Sequence, residues 1–117
     1  MLLPVQRGDV FRANLHPTEG AEQDGVRPVL VISRDAINKS SPVVIIVPLT
    51  DAANKTRTYP SHVAFKAGTA GLTIDSIAMC EQVRAISKTR LKSKLGNINR
   101  AEMASVEAAL RITLDLP

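Results

Sequence analysis

Short runs of regularly spaced apolar residues run along most of the chain. In residues 9–15, every second side chain from Phe11 to Leu15 is apolar and alternates with Arg12 and Asn14, which is the period of a strand with one buried face. Residues 27–33 and 43–49 are nearly continuous β-branched runs and predict central, largely buried strands. Further short strands are predicted at residues 62–66, 74–79 and 82–86.

The segment between the first two predicted strands, residues 16–24, is polar and contains glycine and proline, so it predicts a loop. Pro48 lacks a backbone N–H, so we expect the strand at 43–49 to lie at a sheet edge or to carry a bulge near its end. A bulge there would redirect the side chain of Thr50.

The spacing of apolar residues becomes helical near the end of the chain. Ser87 is a suitable cap for a short helix through residue 95, with Gly96 as its left-handed stop. Asn99, with Glu102 three residues later, predicts the start of a second helix. Its apolar stripe, which would pack on the sheet, consists of Met103, Val106, Leu110 and Leu114. The pattern predicts a mostly β protein of α+β type, built as a small barrel or twisted sandwich with C-terminal helices.

The composition predicts one domain over residues 1–117. With 44% hydrophobic residues, a chain of 117 residues can fill one core but is short for two. Burial is only moderate at this size, so we expect an exposed apolar face to be covered by a second copy, which predicts a homodimer.

The charge and cysteine content exclude several classes of protein. The net charge of +4 favours an acidic partner, but it does not choose between a nucleic acid and an acidic protein. Cys80 has no second thiol, which excludes a disulfide framework, and no His/Cys cluster has metal spacing. No apolar run approaches the roughly 20 residues that span a bilayer, so we expect a cytoplasmic protein that needs no membrane and no cofactor.

Arg27 is the strongest candidate for chemistry. Its fork of donors matches the oxygens of a phosphate, and Pro28 holds it extended at the start of a strand. The alternative is an ion pair with Glu22 or Asp24 on a solvated rim. The residues alone do not choose between phosphate binding and this ion pair.

Two further candidates also have ordinary structural explanations. Thr50 can donate its hydroxyl to a phosphate oxygen, or it can bond to its own backbone. Gln82 can present a donor and an acceptor to a base edge, or it can satisfy backbone groups at a strand edge. Two histidines, His16 and His62, would suit general acid–base catalysis, but isolated histidines are more often inert and we leave both out of the catalytic set.

Four segments together resemble the MazF/PemK/Kid family of toxin endoribonucleases. They are Gly20-Ala21-Glu22-Gln23-Asp24-Gly25, Gly25-Val26-Arg27-Pro28, Pro48-Leu49-Thr50 and Glu81-Gln82-Val83-Arg84. They occur in the family's order and span most of the chain. The first has alanine where the family usually has serine, and Arg12 stands where relatives often carry an aromatic residue.

The resemblance implies an SH3-like barrel of five to seven strands, similar to CcdB and PemK. It also implies metal-independent cleavage of single-stranded RNA that leaves 2′,3′-cyclic phosphate and 5′-hydroxyl ends. By the same resemblance, Arg27 and Thr50 are the catalytic residues and Glu22 is a candidate for proton transfer. The residues implied to bind RNA are Gln23, Ser76, Gln82 and Arg84.

The resemblance also implies an antitoxin partner whose disordered tail covers the RNA groove. Two other functions stay open at this point. One is a non-enzymatic barrel toxin that binds a protein target such as gyrase, although those relatives end in Trp-Gly-Ile and this chain ends in Asp115-Leu116-Pro117 without tryptophan. The other is a plain nucleic-acid-binding barrel, in which Arg27 and Thr50 would have no special role.

Overall fold

A computed structural model describes residues 4–55 and 57–117 of the chain. Within them, seven antiparallel strands form one sheet, in the order β4-β5-β3-β2-β1-β7, with β6 paired to β3. The strands are β1 (Asp9–Asn14), β2 (Val26–Val31), β3 (Val43–Asp51), β4 (His62–Phe65), β5 (Ser76–Met79), β6 (Arg84–Ser87) and β7 (Leu91–Asn97). Two α-helices accompany them, α1 (Asp35–Ser40) and α2 (Arg100–Leu114). The prediction of a mostly β protein is confirmed.

The strand β3 is central, so the prediction that Pro48 marks a sheet edge or a bulge is wrong. On one side β3 pairs with β2 through its middle residues, from Ile46 opposite Val31 to Pro48 opposite Val29. On the other side it changes neighbour: Ile46 is the last residue paired with β6, and Leu49 is the first paired with β5. Pro48 falls at this change of neighbour, where the hydrogen-bond ladder is already interrupted. Thr50 therefore continues β3 in regular register.

The prediction of a helix from Ser87 through residue 95 is also wrong. Residues 88–90 form a single 3-10 turn, capped by the Ser87 side chain, and the chain then continues as β7 against β1. The lysines of this segment alternate with less polar residues, which suits an edge strand, and the Nζ of Lys94 lies 3.1 Å from the buried carboxylate of Asp9. Pairing with β1 decides the conformation of a segment whose local preference is ambiguous.

The second predicted helix is confirmed as α2. Asn99 and Glu102 form a reciprocal capping box, in which each side chain accepts a hydrogen bond from the other's backbone N–H. Met103 and Val106 are buried as expected, whereas Leu114 is half exposed because the buried stripe ends near Ala109. None of the helices in the described part of the chain is long and apolar enough to cross a membrane.

The sheet is buried on both faces. On one face, apolar residues of β1, β2, β3 and β5 pack beneath α2. The opposite face carries a second cluster, made of Val5, Phe11, Ala13, Leu15, Val29, Val31, Val44, Ile46, Ile86 and Leu91. The predicted one-sided burial of β1 is therefore incomplete, since Val10 is buried under α2 while Phe11 is buried on the other face.

Strand pairing does not close the sheet into a barrel, because β4 and β7 stand at its two ends. A 3-10 turn at Thr69–Gly71 bridges part of the gap by packing on β7. Two glycines allow this approach. A Cβ added at Gly71 would lie 2.1 Å from the carbonyl oxygen of Leu95, and one at Gly96 would lie 2.6 Å from the carbonyl carbon of Ala70. Close backbone contact thus takes the place of the missing ladder.

Candidate functional site

Arg27 and Thr50 lie on adjacent strands and line one cavity. The pairing of β2 with β3 runs as far as Val29 and Pro48, and Arg27 and Thr50 each lie two residues beyond this last pair. Both residues contribute to the wall of the same cavity. The ends of the two strands therefore bring a guanidinium and a hydroxyl to one site.

The Arg27 side chain is half-buried and held at one atom. Its Nε donates a 2.8 Å hydrogen bond to the backbone carbonyl of Asp24, and its two terminal nitrogens have no hydrogen-bond partner among residues 4–55 and 57–117. The alternative prediction, an ion pair with Glu22 or Asp24, is not what the structure contains. The Asp24 carboxylate instead contacts Nδ1 of His16 at 3.1 Å. The outer edge of the guanidinium is left available for an anion.

A cavity of about 270 Å³ opens beside this pair. Arg12, Arg27, Thr50 and Ser76 all contribute to its wall. Thr50 and Ser76 are buried, and the Ser76 hydroxyl donates to the carbonyl of Ile74. The cavity therefore combines two cations with two hydroxyls, which is a combination suited to phosphate oxygens.

The other predicted site residues line a second cavity of about 390 Å³. Glu22, Gln23, Gln82 and Arg84 surround it, together with Pro48. Pro48 lines this cavity and the next two residues of β3, Leu49 and Thr50, line the first, so β3 contributes to both cavities. The structure thus divides the predicted residues into two neighbouring groups rather than one.

Gln82 joins the second group to the loop between β1 and β2. Its Oε1 accepts a 2.7 Å hydrogen bond from the backbone N–H of Gln23, and its Nε2 donates to the carbonyl of Ala21 at 3.2 Å. Gln82 therefore satisfies backbone groups, as in the structural alternative that the sequence left open. The exposed Glu22 carboxylate accepts from the backbone N–H of Glu19 at 2.9 Å.

Two arginines hold the start of the same loop. Arg90 donates to the carbonyls of Asn14, at 3.1 Å, and His16, at 2.6 Å, while Arg84 lies 3.5 Å from the carbonyl of Leu15. The sequence analysis missed the role of Arg90, which is more than 70 positions from its partners. No local pattern signals such a contact, because it depends on the pairing of β7 with β1.

Hydrogen bonding keeps two carboxylates near the site ionised. The backbone N–H of Gly25, followed by the side chains of His16 and Thr18, lowers the pKa of Asp24 against a smaller opposing effect of burial. Burial raises the pKa of Glu81, but hydrogen bonds from its own backbone, His62 and Ser61 outweigh that effect and lower it. Burial and the charge of Glu81 raise the pKa of the Cys80 thiol to about 11, so this thiol is protonated at neutral pH and is a poor nucleophile.

Across the part of the chain that the structure describes, no three His, Cys, Asp or Glu side chains are grouped to hold a metal ion.

The sequence of this small, mostly β protein matches a known class of toxin. The model of the PemK-like, MazF-like toxins of type II toxin–antitoxin systems matches residues 6–114. The endoribonuclease MazF of Staphylococcus epidermidis is 44% identical over 112 residues, which is 96% of this chain and 92% of that protein. The chain belongs to the PemK-like, MazF-like toxin family.

Solved structures agree with this assignment. A mycobacterial endoribonuclease in complex with its cognate antitoxin is 27% identical, with a TM-score of 0.79 over 97% of both chains. MazF from Deinococcus radiodurans superimposes with a TM-score of 0.82 over 97% of this chain and 98% of that one, at 24% identity. At 24% identity, the similarity to the Deinococcus radiodurans structure supports the fold alone. The predicted family is confirmed, and so is its mostly β fold with a C-terminal helix, although strand pairing leaves the sheet unclosed.

Proposed function

We propose that this chain is the toxin of a type II toxin–antitoxin pair and cleaves single-stranded RNA without a metal ion. The observation that supports the proposal best is that Arg27 and Thr50, at the ends of adjacent strands, line the wall of one cavity. Family membership adds to it, because the relative from Staphylococcus epidermidis is named an endoribonuclease.

RNA carries its own nucleophile, which limits what the protein must supply. The 2′-oxygen attacks the adjacent phosphorus, the bond from phosphorus to the 5′-oxygen breaks, and the products are a 2′,3′-cyclic phosphate and a 5′-hydroxyl. One proton leaves the 2′-hydroxyl and one is delivered to the 5′-oxygen. Because the nucleophile is already adjacent to phosphorus, the reaction needs no encounter between separate molecules.

Stabilisation of the negative charge is the larger task. In this proposal the terminal nitrogens of Arg27 donate to the non-bridging oxygens, and they need give up no protein partner among the described residues to do so. Thr50 donates its hydroxyl to the same phosphate. Glu22 is the candidate for proton transfer: its side chain is exposed at the second cavity and can move toward the substrate by releasing the N–H of Glu19.

The RNA strand would extend from the first cavity into the second. We assign nucleotide binding to Gln23, Ser76, Gln82 and Arg84. Gln82 and Ser76 already bond to backbone groups, so they bind RNA either by exchanging those bonds or by shaping the cavity walls. Arg84 retains donors beyond its long contact with Leu15 and suits a phosphate.

The proposed function also implies an antitoxin partner, an oligomeric state and a cellular compartment. A cognate antitoxin whose disordered tail lies over the two cavities would compete with RNA, and a mycobacterial endoribonuclease was solved in complex with its cognate antitoxin. We further propose that residues 1–117 form a single domain, since both hydrophobic clusters are built on one continuous sheet. Two such chains would associate as a homodimer. The cytoplasm is the compartment in which mRNA is available to this enzyme.

The direct test is cleavage of a single-stranded RNA by the purified protein in excess EDTA. We expect full activity, and we expect no cleavage when the nucleotide before the cut carries a 2′-deoxyribose, because the internal nucleophile is then absent. Activity that disappears in EDTA and returns with magnesium would contradict metal independence. Binding of RNA with no cleavage would instead favour a plain nucleic-acid-binding barrel.

A further inference from the structure

His62 has an unusual environment for a residue outside the site. It begins β4, and its side chain is 3% exposed. Its Nε2 lies 3.0 Å from Oε2 of Glu81, whereas its Nδ1 is buried with no hydrogen-bond partner among the described residues. The edge of the ring packs on Tyr59 with 5.2 Å between ring centroids.

A purely structural role explains this imidazole poorly. A buried polar atom without a partner destabilises a protein, and an apolar side chain of similar size would fill the same space without that defect. Glu81 does not need the histidine for its own solvation, because its side chain is 42% exposed to water. What an apolar residue could not provide is a hydrogen bond to the Glu81 side chain, in addition to those from its own backbone and Ser61.

Glu81 stands in the middle of a 3-10 turn, Cys80–Gln82. The N–H of Cys80, at the start of this turn, donates a 3.0 Å hydrogen bond to the carbonyl of Ser61, the residue just before His62. The next residue is Gln82, which bonds the loop between β1 and β2 at Gln23 and Ala21. Fixing Glu81 therefore fixes the backbone from which Gln82 reaches the loop.

The loop then leads directly to the site. Asp24 follows Gln23, and its carbonyl accepts the hydrogen bond from Nε of Arg27. The contacts run without interruption from the imidazole through Glu81, Gln82 and the loop to the guanidinium.

We propose that His62 is a positioning residue, which holds the Cys80–Gln82 turn so that Gln82 keeps the loop between β1 and β2 ordered for RNA. This proposal rests on the proposed function, because an effect on KM can be measured only if the protein cleaves RNA. Without the bond from His62 to Glu81, the loop becomes ordered only when RNA binds. The free-energy cost of ordering it then lowers the affinity for RNA. Once RNA is bound, the loop is ordered in either case and the chemical step is unchanged.

The first experiment compares His62→Leu with His62→Gln, which keeps a donor for Glu81. We expect His62→Leu to have a thermal midpoint equal to or above that of the wild type, a KM for RNA raised about tenfold, and a kcat within about twofold. We expect His62→Gln to restore most of the KM. An unchanged KM in His62→Leu would overturn the proposal, as would a KM that rises equally in both variants.

Hydrogen exchange tests the same proposal without using activity. The N–H of Gln23 is bonded to the Gln82 side chain, so its protection should fall in His62→Leu and recover in His62→Gln. Should His62→Leu fail to fold, Glu81→Ala removes the same hydrogen bond from its more exposed side. Unchanged exchange at Gln23 in a folded variant lacking this bond would overturn the positioning role, whether or not the wild type proves to cleave RNA.

A double-mutant cycle then tests the route through Gln82. If His62 acts through this residue, adding His62→Leu to Gln82→Ala should raise KM no further than Gln82→Ala does alone. Two fully additive effects would show that the imidazole and the amide act separately, and the proposal would fail.

Discussion

Replacing Arg27 with alanine is expected to lower kcat for RNA cleavage about a hundredfold or more. This corresponds to about 3 kcal/mol of lost transition-state stabilisation, the magnitude seen when one preorganised donor to a developing anion is removed. The terminal nitrogens of Arg27 have no hydrogen-bond partner within the described residues, so they are free to meet the charge that develops on the phosphate. Single-turnover kinetics at saturating RNA measure this effect on the chemical step.

Two variants serve as controls for Arg27→Ala. Arg27→Lys keeps the positive charge and loses the planar fork, so its kcat should fall between those of the wild type and the alanine variant. Arg34→Ala removes an exposed arginine that lines neither cavity, and it should leave kcat unchanged. The unfolding free energy of Arg27→Ala should stay close to that of the wild type, because the side chain is half-buried and makes one hydrogen bond. Undiminished cleavage in this variant would remove Arg27 from the mechanism.

The largest effect on stability is expected for Gly71→Ala. The new methyl group would lie 2.1 Å from the backbone oxygen of Leu95, a distance that the two backbones can relieve only by moving apart. That movement would separate the Thr69–Gly71 turn from β7, where the turn bridges the gap left by strand pairing. We expect a loss of about 3 kcal/mol in the free energy of unfolding, measured by denaturant titration.

Gly68→Ala is the matched control for this prediction. Both glycines have a left-handed φ, +95° at Gly68 and +77° at Gly71, so both substitutions introduce backbone strain. A Cβ at Gly68 meets no atom within 4 Å. The difference between the two variants therefore isolates the cost of the close approach, and equal losses of stability would show that this contact contributes nothing.

The features that the sequence predicted correctly are local ones. Alternation and β-branching identified the strands, and the pair Asn99 and Glu102 located the start of α2, because a capping box is formed by residues three positions apart. Arg27 and Thr50 could be singled out because each lies in a short segment that resembles the family. That both line one cavity depends on the pairing of β2 with β3, which the sequence does not state.

The failures come from contacts between distant residues. Residues 91–97 became a strand because β1 offered a free edge, and Pro48 was accommodated because β3 changes neighbour there. His62 looked like an isolated histidine, since its partner Glu81 lies 19 positions away. In residues 91–97, strand pairing overrides the local preference for a helix. At Pro48 and His62, the surroundings of the residue are formed by parts of the chain that are distant in sequence.

In the proposed reaction, the 2′-hydroxyl of RNA attacks a phosphate held by Arg27 and Thr50. The end groups left on an RNA pool that the purified protein has cut in excess EDTA identify this reaction. We expect 2′,3′-cyclic phosphates on the upstream fragments and free 5′-hydroxyls on the downstream ones. Fragments with 3′-hydroxyl and 5′-phosphate ends would require an external nucleophile and would contradict it.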